Sequence, residues 1–434
     1  GDYCGDLGIE KSFDKFLRGI KGNEILIRDA RGRIRGRFED GARDIAPVSG
    51  KDLKLSLDIK LQEYAERLMV NKIGAVVAIE PATGEILAMV SSPTYSPKLL
   101  VGRERGKNYR ELVNDHYKPL FDRALMGAYP PGSTFKPSQG LIFLEEGIVN
   151  LSTAYPCYHG FINGRLRVGC HGHGSPIPLK PALQTSCNAY FCWGFKAMID
   201  NKRSKYGNSA NAFEVWKKHL VSLGYGYPLG VDLPAEGRGF IPNAKFYNKI
   251  YGENHWSANT IISVAIGQGE ILATPLQIAN LCATVANRGW FITPHVVKEI
   301  QDTVIDEQYR TQRHPTISAE HFNDIAEGMR MAVTGGTCRL ANLPDIEVCG
   351  KTGTAQNPHG KDHSAFIGFA PYQNPRIAVC VYVENAGFGA TYGVPIGSLV
   401  IEKYLKGYIS PERKYLEERM LNSNTIIYSG VKKH

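Results

Sequence analysis

The sequence predicts an α/β protein of the α+β type, in which a mixed antiparallel sheet of about five strands is flanked by helices. Two observations lead to this prediction. A strand hairpin with a Pro-Ala-Thr-Gly-Glu turn is predicted over 73–92, and three further strands rich in β-branched or aromatic residues are predicted over 346–386. The segment between them is long and mainly helical, without internal repeats. Helices inserted between the strands of one sheet are typical of this fold class.

The other elements are predicted in chain order from polarity, periodicity and capping residues. Residues 1–50 are polar, and their alternating stretch IRDARGRIRGRF indicates an exposed hairpin. A short strand follows Lys51, and Asp58 then caps an amphipathic helix. Pro-Pro-Gly ends one element immediately before Ser133, where a buried helix is predicted to begin. Beyond it the sequence predicts helices over 179–199, 212–223, 318–334 and 394–406, a long apolar helix ending at Gly289, and a hairpin-like segment over 290–305.

Composition and charge exclude several classes of protein. The 434-residue chain has a net charge of +9, its basic residues are scattered, and it has no arginine-rich run or aromatic RNA-binding motif, so we expect no nucleic-acid partner. No apolar stretch reaches the length of about 18 residues that would span a bilayer. The glycine-rich Ile266–Gly269 lacks the lysine and the spacing of a phosphate-binding loop, and we interpret it as a structural turn.

The first motif that carries chemistry is Ser133-Thr134-Phe135-Lys136. A serine and a lysine three residues apart face the same side of a helix. A serine hydroxyl becomes a nucleophile when a base removes its proton, and a lysine in a partly buried site is neutral enough to be that base. Because S-x-x-K also occurs by chance on surface helices, its weight depends on the motifs that follow.

Two further motifs follow along the chain. Ser186–Asn188 reads S-C-N, and Lys351–Thr354 reads K-T-G-T on a predicted strand of small residues. The order S-x-x-K, S-x-N, K-T-G is the signature of the superfamily of penicillin-binding proteins and serine β-lactamases.

Each of these side chains has a predicted part in acyl transfer. Ser133 Oγ attacks a peptide carbonyl, and Lys136 accepts its proton. Ser186 relays that proton to the leaving amine, while Lys351 keeps the local field positive. Asn188 holds the substrate amide or orients Lys136.

The K-T-G strand is predicted to bind the substrate. Gly353 leaves room for the substrate backbone at the strand edge, and Thr352 and Thr354 bind a terminal carboxylate. The backbone N–H groups of Ser133 and Thr354 form an oxyanion hole, in which the loss of one donor typically costs about 3 kcal/mol.

Longer stretches of the chain resemble the elongation-type class B penicillin-binding proteins. The resemblance runs from Tyr3 to Gly407 and rests on YCGDLGIE, DIKLQ, AIEPATGEILAMVSSPTYSP, DRALMGAYPPGSTFKP, AIGQGEILATPLQI, GKTGTAQ and FAPYQNPRIAVCVYVEN. It implies that family's transpeptidase fold over 51–418, a partial N-terminal pedestal over 1–50 and a C-terminal tail over 419–434.

The resemblance also implies a function. It implies a D,D-transpeptidase that cross-links peptidoglycan stem peptides through a serine acyl-enzyme during cell elongation. Such a protein is inhibited covalently by β-lactam antibiotics and needs no cofactor for catalysis. It works with a membrane-bound shape-type glycosyltransferase and the elongation machinery at the periplasmic face of the bacterial inner membrane. Because the chain opens inside a patterned segment, we expect its single membrane anchor and much of the pedestal to be missing here.

Cysteine and histidine residues concentrated between the first two motifs predict a structural zinc site. Such a concentration in a segment with little regular structure is typical of a tetrahedral zinc centre that staples the chain. Some elongation-type relatives look as if they bind zinc in the corresponding segment, between the first two motifs. A Cys157–Cys170 disulfide, or free thiols, are the alternatives. The predicted ligands are Cys157, Cys170, His173 and Cys187, with His171 and His159 as alternates.

Other functions share the three motifs. A serine β-lactamase needs fast deacylation by a positioned water, and a non-enzymatic β-lactam sensor is acylated without turnover. A D,D-carboxypeptidase differs only in using water as the acceptor. The pedestal-like N-terminal segment and the long matching stretches favour the transpeptidase over the first two.

Overall fold

The computed structural model describes residues 4–200 and 206–426, and its central feature is a five-stranded sheet. In chain order the helices and strands are α1 (Gly8–Ser12), α2 (Asp14–Leu17), β1 (Leu26–Arg28), β2 (Ile34–Arg37), β3 (Leu53–Leu55), α3 (Ile59–Met69), β4 (Gly74–Ile79), β5 (Ile86–Ser92), α4 (Arg105–Asn114), α5 (Arg123–Met126), α6 (Lys136–Glu145), β6 (Gly160–Asn163), β7 (Leu166–Gly169), α7 (Leu179–Gln184), α8 (Asn188–Ile199), α9 (Ser209–Ser222), α10 (Ala244–Tyr251), α11 (Pro275–Ala286), β8 (Val297–Ile300), α12 (Ala319–Gly335), β9 (Cys349–Ala355), β10 (His363–Ala370), β11 (Ile377–Val383), α13 (Gly393–Lys406) and α14 (Lys414–Asn422).

The predicted sheet is confirmed. Its strand order is β5-β4-β11-β10-β9, and every neighbouring pair is antiparallel. The N-terminal hairpin β4–β5 therefore joins the three C-terminal strands through β11, with Val76 opposite Val381. This pairing leaves β9, which carries the K-T-G motif, at one edge of the sheet.

Helices cover both faces of the sheet, which explains why the central strands are uniformly apolar. All six residues of β4 and all seven of β11 are buried. One face packs against α11 and, beyond it, the helical insertion that contains α6 and α8. The opposite face packs against α3 and α13, and α14 packs on these two helices.

Local sequence signals explain several element boundaries. Asp58 caps α3 as predicted, because its carboxylate accepts from the backbone N–H groups of Lys60 and Leu61. The predicted helix over 179–199 is instead two helices, α7 and α8, separated by Thr185–Cys187. The break is where Ser186 adopts a left-handed backbone with φ of +59°.

The hairpin-like segment predicted over 290–305 is wrong. Only Val297–Ile300 forms a strand there, and it pairs with Leu53–Leu55 from the start of the chain. The sequence of this segment could not show that the partner of its strand lies more than two hundred residues away.

The N-terminal segment is a small, largely exposed extension. Strands β1 and β2 form the predicted hairpin, and every residue of β2 is exposed. At the other end, α14 crosses the predicted boundary between residues 418 and 419 and buries Leu416 and Met420 in the second core. The rest of the predicted tail, 427–434, lies outside the described residues. The predicted division of the chain at 50/51 stays a prediction.

Within the described ranges, no helix combines the length and the apolar character that crossing a membrane requires.

Candidate active site

Ser133 lies at the start of a buried helix, on a turn held by close backbone contacts. Gly132–Phe135 forms a 3-10 turn that runs directly into α6. The Gly132 N–H donates to the Gly267 carbonyl at 2.9 Å, and Gly132 has a φ of +55°. A methyl group on Gly132 would lie 2.7 Å from the Thr354 carbonyl oxygen. The predicted nucleophile is therefore fixed between the Ile266–Gly269 turn and the K-T-G strand.

Lys136 is fully buried and points at the S-x-N segment. Its Nζ donates to the Ser186 carbonyl at 2.7 Å, to Ser186 Oγ at 3.1 Å and to Asn188 Oδ1 at 2.6 Å. Burial lowers the pKa of Lys136 to about 8, because an ammonium group loses its hydration there. A substantial fraction of this lysine is therefore neutral near physiological pH.

Lys351 approaches the same hydroxyl from the other side. Its Nζ donates to Ser186 Oγ at 2.8 Å and to the Thr352 carbonyl at 3.0 Å. Burial and the nearby charge of Lys136 hold the pKa of Lys351 well below its usual range. Because both buried lysines contact one hydroxyl oxygen, their charges would repel each other, and the state in which both are charged is unfavourable. The three motifs thus meet at Ser186 Oγ.

Asn188 connects Lys136 to a short hairpin. While its Oδ1 accepts from Lys136, its Nδ2 donates to the Gly169 carbonyl at 2.8 Å, at the end of β7. Of the two roles predicted for Asn188, the orientation of Lys136 is the one visible in this geometry.

The K-T-G strand presents alternate side chains to a cleft. The Oγ1 atoms of Thr352 and Thr337 lie 2.9 Å apart, and Thr354 Oγ1 accepts from the Gly389 N–H at 3.3 Å. Both Thr352 and Thr354 line the cleft. Gly353 differs from the prediction, because side chains alternate along a strand and its own position faces away from the cleft. A methyl group on Gly353 would lie 2.7 Å from Thr134 Cγ2, so this glycine allows the strand to pack on the Ser133 turn.

The cleft has a volume of about 1170 Å³. It contains Ser133, Ser186 and Asn188 together with the two threonines. Three further contributions were not identified from the sequence, since no local motif marks them: Thr337 after α12, Gln268 in the Ile266–Gly269 turn and the loop at 388–391 before α13. Gln268 Nε2 lies 3.4 Å from the Thr354 carbonyl oxygen. The turn interpreted as structural therefore also lines the site.

The predicted ligand set forms one cluster beside this cleft. The donor atoms of Cys157, Cys170, His173 and Cys187 all lie within 4.8 Å of one another. His173 Nδ1 donates to the Gly174 carbonyl at 2.8 Å, which leaves Nε2 facing Cys170 Sγ at 3.5 Å. All nine cysteines lie in the described ranges, and each is a free thiol, so the Cys157–Cys170 disulfide is not formed.

The electrostatics of the cluster suit a cation. A hydrogen bond from Cys187 is the largest of the contributions that lower the pKa of Cys170 to about 4. The same shared proton raises the pKa of Cys187. Three sulfur ligands and one imidazole nitrogen are a donor set that fits tetrahedral zinc.

The two alternate ligands lie outside the cluster. His171 is exposed and packs against Phe388, with ring centroids 6.0 Å apart. His159 contributes its backbone carbonyl, which accepts from the Cys170 N–H at 2.9 Å.

The cluster is joined directly to the catalytic motif. The Asn188 N–H donates to Cys170 Sγ at 3.2 Å, and the Tyr190 N–H donates to Cys187 Sγ at 3.3 Å. A metal bound to these sulfurs would therefore hold the N-terminus of α8, the helix that begins at Asn188.

Known proteins resemble this chain over nearly its whole length. The family model of the penicillin-binding protein transpeptidase domain matches residues 74–402, and that of the penicillin-binding protein dimerisation domain matches residues 1–55. The peptidoglycan D,D-transpeptidase MrdA of Acinetobacter baumannii is 35% identical over 421 residues, which cover 90% of this chain and 59% of that relative. The chain thus spans less than two thirds of that curated relative.

Solved structures agree with the sequence matches. Penicillin-binding protein 2 of Pseudomonas aeruginosa, in complex with WCK 5153, has a TM-score of 0.76 and is 31% identical, covering 94% of this chain and 86% of that one. Penicillin-binding protein 2 of Helicobacter pylori, in complex with MreC, has a TM-score of 0.77 and is 28% identical, covering 94% and 73%. The chain therefore belongs to the class B penicillin-binding proteins, within the branch that includes the elongation-type penicillin-binding protein 2.

Proposed function

We propose that the protein is a serine D,D-transpeptidase that cross-links peptidoglycan stem peptides and is acylated by β-lactams at Ser133. The observation that carries this proposal is the position of Ser186 Oγ, which accepts hydrogen bonds from Lys136 at 3.1 Å and Lys351 at 2.8 Å. This arrangement provides a continuous path for a proton between a buried amine and a group in the cleft.

In the proposed acylation, Ser133 Oγ attacks the carbonyl carbon of the penultimate D-alanine. Its proton passes to neutral Lys136, which the lowered pKa of about 8 makes available. The tetrahedral intermediate collapses as the peptide C–N bond breaks. The proton then moves through Ser186 Oγ to the amine of the leaving D-alanine, and Lys136 is neutral again.

Deacylation repeats these steps in reverse with a different amine. The amino group of an acceptor stem peptide attacks the ester carbonyl, forms the cross-link and gives up a proton through the same path. Ser133 regains its hydroxyl, and the balance is one peptide bond broken and one formed. No cofactor takes part in this sequence.

The substrate backbone is proposed to add to the free edge of β9. An edge strand offers unpaired N–H and C=O groups, so an extended peptide can pair with it. Thr352 and Thr354 line the cleft on this strand, where their hydroxyls would meet the terminal carboxylate. The N–H groups of Ser133 and Thr354 would bind the oxyanion.

The direct test is turnover. The chain is incubated with a stem pentapeptide ending in D-Ala-D-Ala and an isotope-labelled D-amino acid as acceptor, and mass spectrometry follows D-alanine release and label incorporation. Ser133→Ala should abolish both. The control Ser138→Ala lies on the same helix, where its hydroxyl bonds to the Phe135 carbonyl, and should retain activity. Activity that survives Ser133→Ala would contradict the proposal.

We also propose that Cys157, Cys170, His173 and Cys187 hold a structural Zn²⁺. The fit rests on donor atoms within 4.8 Å and on the lowered pKa of the Cys170 thiol. With four protein ligands the ion would have no open position, so its part would be to staple β7 to the start of α8.

We base the proposed cellular location and partners of the protein on its family membership. We expect the protein at the periplasmic face of the inner membrane, held by an N-terminal anchor, and acting with a shape-type glycosyltransferase and the elongation machinery. The Helicobacter pylori relative in complex with MreC supports this assignment. Co-purification of the full-length protein with the glycosyltransferase from membranes tests it, and recovery in the soluble cytoplasmic fraction alone would contradict it.

A further inference from the structure

A buried tyrosine of the central sheet touches the segment that leads to Ser133. Tyr382 lies on β11, is fully buried and is not among the described residues that line the cleft. Its hydroxyl donates to the Pro130 carbonyl at 3.1 Å. Side chains alternate along a strand, and Val381 and Val383 belong to the core on the opposite face of the sheet. Tyr382 therefore points to the face that carries the helical insertion and reaches the segment from inside the protein.

Small residues on the neighbouring strands leave room for a second ring beside Tyr382. The residues opposite Tyr382 are Ala75 on β4 and Ala365 on β10. Cross-strand neighbours lie close enough to pack on each other, so two alanines leave space beside the tyrosine ring. The Tyr129 ring stacks on Tyr382 there, with centroids 4.3 Å apart and an angle of 21° between the planes. The stacked ring fixes the direction in which the Tyr382 hydroxyl points.

Tyr129 is itself held at its backbone and at its hydroxyl. Its N–H donates to the Ala273 carbonyl at 3.0 Å, and its carbonyl accepts from the Ala273 N–H at 2.8 Å. Its hydroxyl donates to Glu384 Oε1 at 2.7 Å, and the same oxygen accepts from Arg123 Nε at 3.2 Å. The two stacked rings therefore form a rigid support beneath the segment.

The segment before Ser133 depends on such a support because it contains two prolines. Pro130 and Pro131 have no N–H, so neither can donate a backbone hydrogen bond. Among the described residues, the Pro130 carbonyl accepts a hydrogen bond from Tyr382 alone. A shift of that carbonyl would be passed along the chain to Ser133.

We propose that Tyr382 is a positioning residue for Ser133, because its hydroxyl sets where the Pro130 carbonyl lies and therefore how the Ser133 turn sits against β9. This inference rests on the proposed function and deepens it. Tyr382 touches none of the reacting groups and acts through the backbone of the turn. Misplacement of a reacting group by about 1 Å can cost about 10²-fold in rate, so the loss of one hydrogen bond to this segment should cost a smaller factor.

Stopped-flow acylation by the chromogenic β-lactam nitrocefin tests this inference. Measurement over a range of concentrations separates the dissociation constant of the initial complex from the acylation rate constant. The variant is Tyr382→Phe, which keeps the stacked ring and removes only the hydroxyl. The matched control is Tyr309→Phe, since the Tyr309 hydroxyl also donates to a backbone carbonyl, that of Gly230, at 3.0 Å and outside the cleft. Urea unfolding of both variants measures how much stability each hydroxyl contributes.

Tyr382→Phe should lower the acylation rate constant about 3- to 10-fold, the range expected for one lost neutral hydrogen bond. Its dissociation constant should stay at the wild-type value, because the lining of the cleft is unchanged. Tyr309→Phe should keep the wild-type value of both constants, even if it loses as much stability as Tyr382→Phe.

Three results would overturn the inference: a wild-type acylation rate constant in Tyr382→Phe, an equal loss in Tyr309→Phe, or a loss confined to the dissociation constant. Each of them leaves acylation of the wild type, and with it the proposed function, intact. If nitrocefin does not modify Ser133 in the wild type, the proposed function fails, and this inference fails with it.

Discussion

At the scale of single residues, the chemistry depends on how burial changes the charge of two lysines. Lys136 and Lys351 are both fully buried, and the pKa of each is lowered. An ammonium cannot accept the Ser133 proton, so the proposed acylation requires the neutral form of Lys136. The single hydroxyl between the lysines, Ser186 Oγ, makes their charges interdependent.

The rate of acylation should therefore depend on pH with a definite sign. Below the pKa of about 8 for Lys136, the neutral fraction falls tenfold per pH unit, so the rate should rise with pH and level off above that value. Stopped-flow measurement of penicillin acylation from acid to alkaline pH checks this. A rate that is constant across neutral pH would contradict the role of Lys136 as base.

Substitution of the base should have a large effect. Lys136→Ala should slow acylation by about 10²- to 10⁴-fold, the contribution typical of a positioned general base. The matched control is Lys196→Ala, since Lys196 pairs with Asp200 outside the cleft. Equal losses in the two variants would show that the effect is general destabilisation.

The sequence identified these residues as the candidate site, but it did not predict their backbone conformation. The motif spacing identified Ser133, Lys136, Ser186 and Lys351, and the structure brings them to one cleft or one hydroxyl. The left-handed conformation of Ser186 could not be predicted, because a serine seldom adopts a positive φ.

At the scale of elements, the catalytic helix is positioned by turns that approach it closely. The Ile266–Gly269 turn touches the backbone that precedes Ser133, and a methyl group on Gly267 would lie 2.3 Å from the Gly132 carbonyl oxygen. Gly269 has almost the same φ, +72° against +73°, but its methyl group would meet only the Ser263 hydroxyl, at 2.7 Å. Alanine substitutions at these two glycines therefore distinguish the loss of stability from a strained backbone from the loss of acylation rate when Ser133 is displaced.

Gly267→Ala should therefore reduce acylation by about 10²-fold, the loss expected when a reacting group is misplaced by about 1 Å. Gly269→Ala should leave acylation near the wild-type rate, while both variants lose about 1–2 kcal/mol of stability from the positive φ. Acylation rates and urea unfolding measure the two effects. Equal acylation rates in the two variants would contradict the positioning role of the turn.

The proposed zinc site provides a second test at this scale. Cys170→Ser removes one ligand and weakens the contact with Asn188, so it should lower both the zinc content and the acylation rate. Cys282→Ala, which alters a buried thiol far from the cluster, should change neither. Elemental analysis of freshly prepared wild-type protein should show one zinc per chain, and its absence would contradict the site.

Helices and strands were predicted correctly where adjacent residues determine them, and wrongly where a strand pairs with a distant part of the chain. The three C-terminal strands and the Asp58 cap were predicted correctly from adjacent residues. The hairpin expected over 290–305 was wrong because β8 pairs with β3. The predicted ligand set named His173 and kept His171 as an alternate, and the structure places His173 in the cluster and the His171 ring against Phe388.

At the scale of the whole molecule, a buried ion pair joins α13 to the residue that precedes α14. Glu402 of α13 is fully buried and lies 2.7 Å from Arg413, which also donates to Ser398 and to the Leu340 carbonyl. This network fixes the start of α14 and the Arg339–Ala341 turn to α13, which packs on the face of the sheet opposite the helical insertion.

Arg413→Met should cost about 3–5 kcal/mol of unfolding free energy, because it removes the nearest cation from the buried Glu402 carboxylate and leaves only Lys406, 3.6 Å away, to balance its charge. Lys414→Met is the control, since its pair with Glu417 is exposed and should be worth less than about 1 kcal/mol. Urea unfolding of both variants measures the difference, and equal losses would contradict the account of this interface.

The central claim, that Ser133 is an acylating nucleophile in a slowly deacylating enzyme, is tested most directly by intact mass spectrometry after incubation with a penicillin. We predict one adduct of the mass of the whole penicillin, stable for hours and absent from Ser133→Ala. An adduct that disappears quickly as hydrolysed penicillin accumulates would instead indicate a β-lactamase. An adduct that persists in Ser133→Ala would contradict the assignment of the nucleophile.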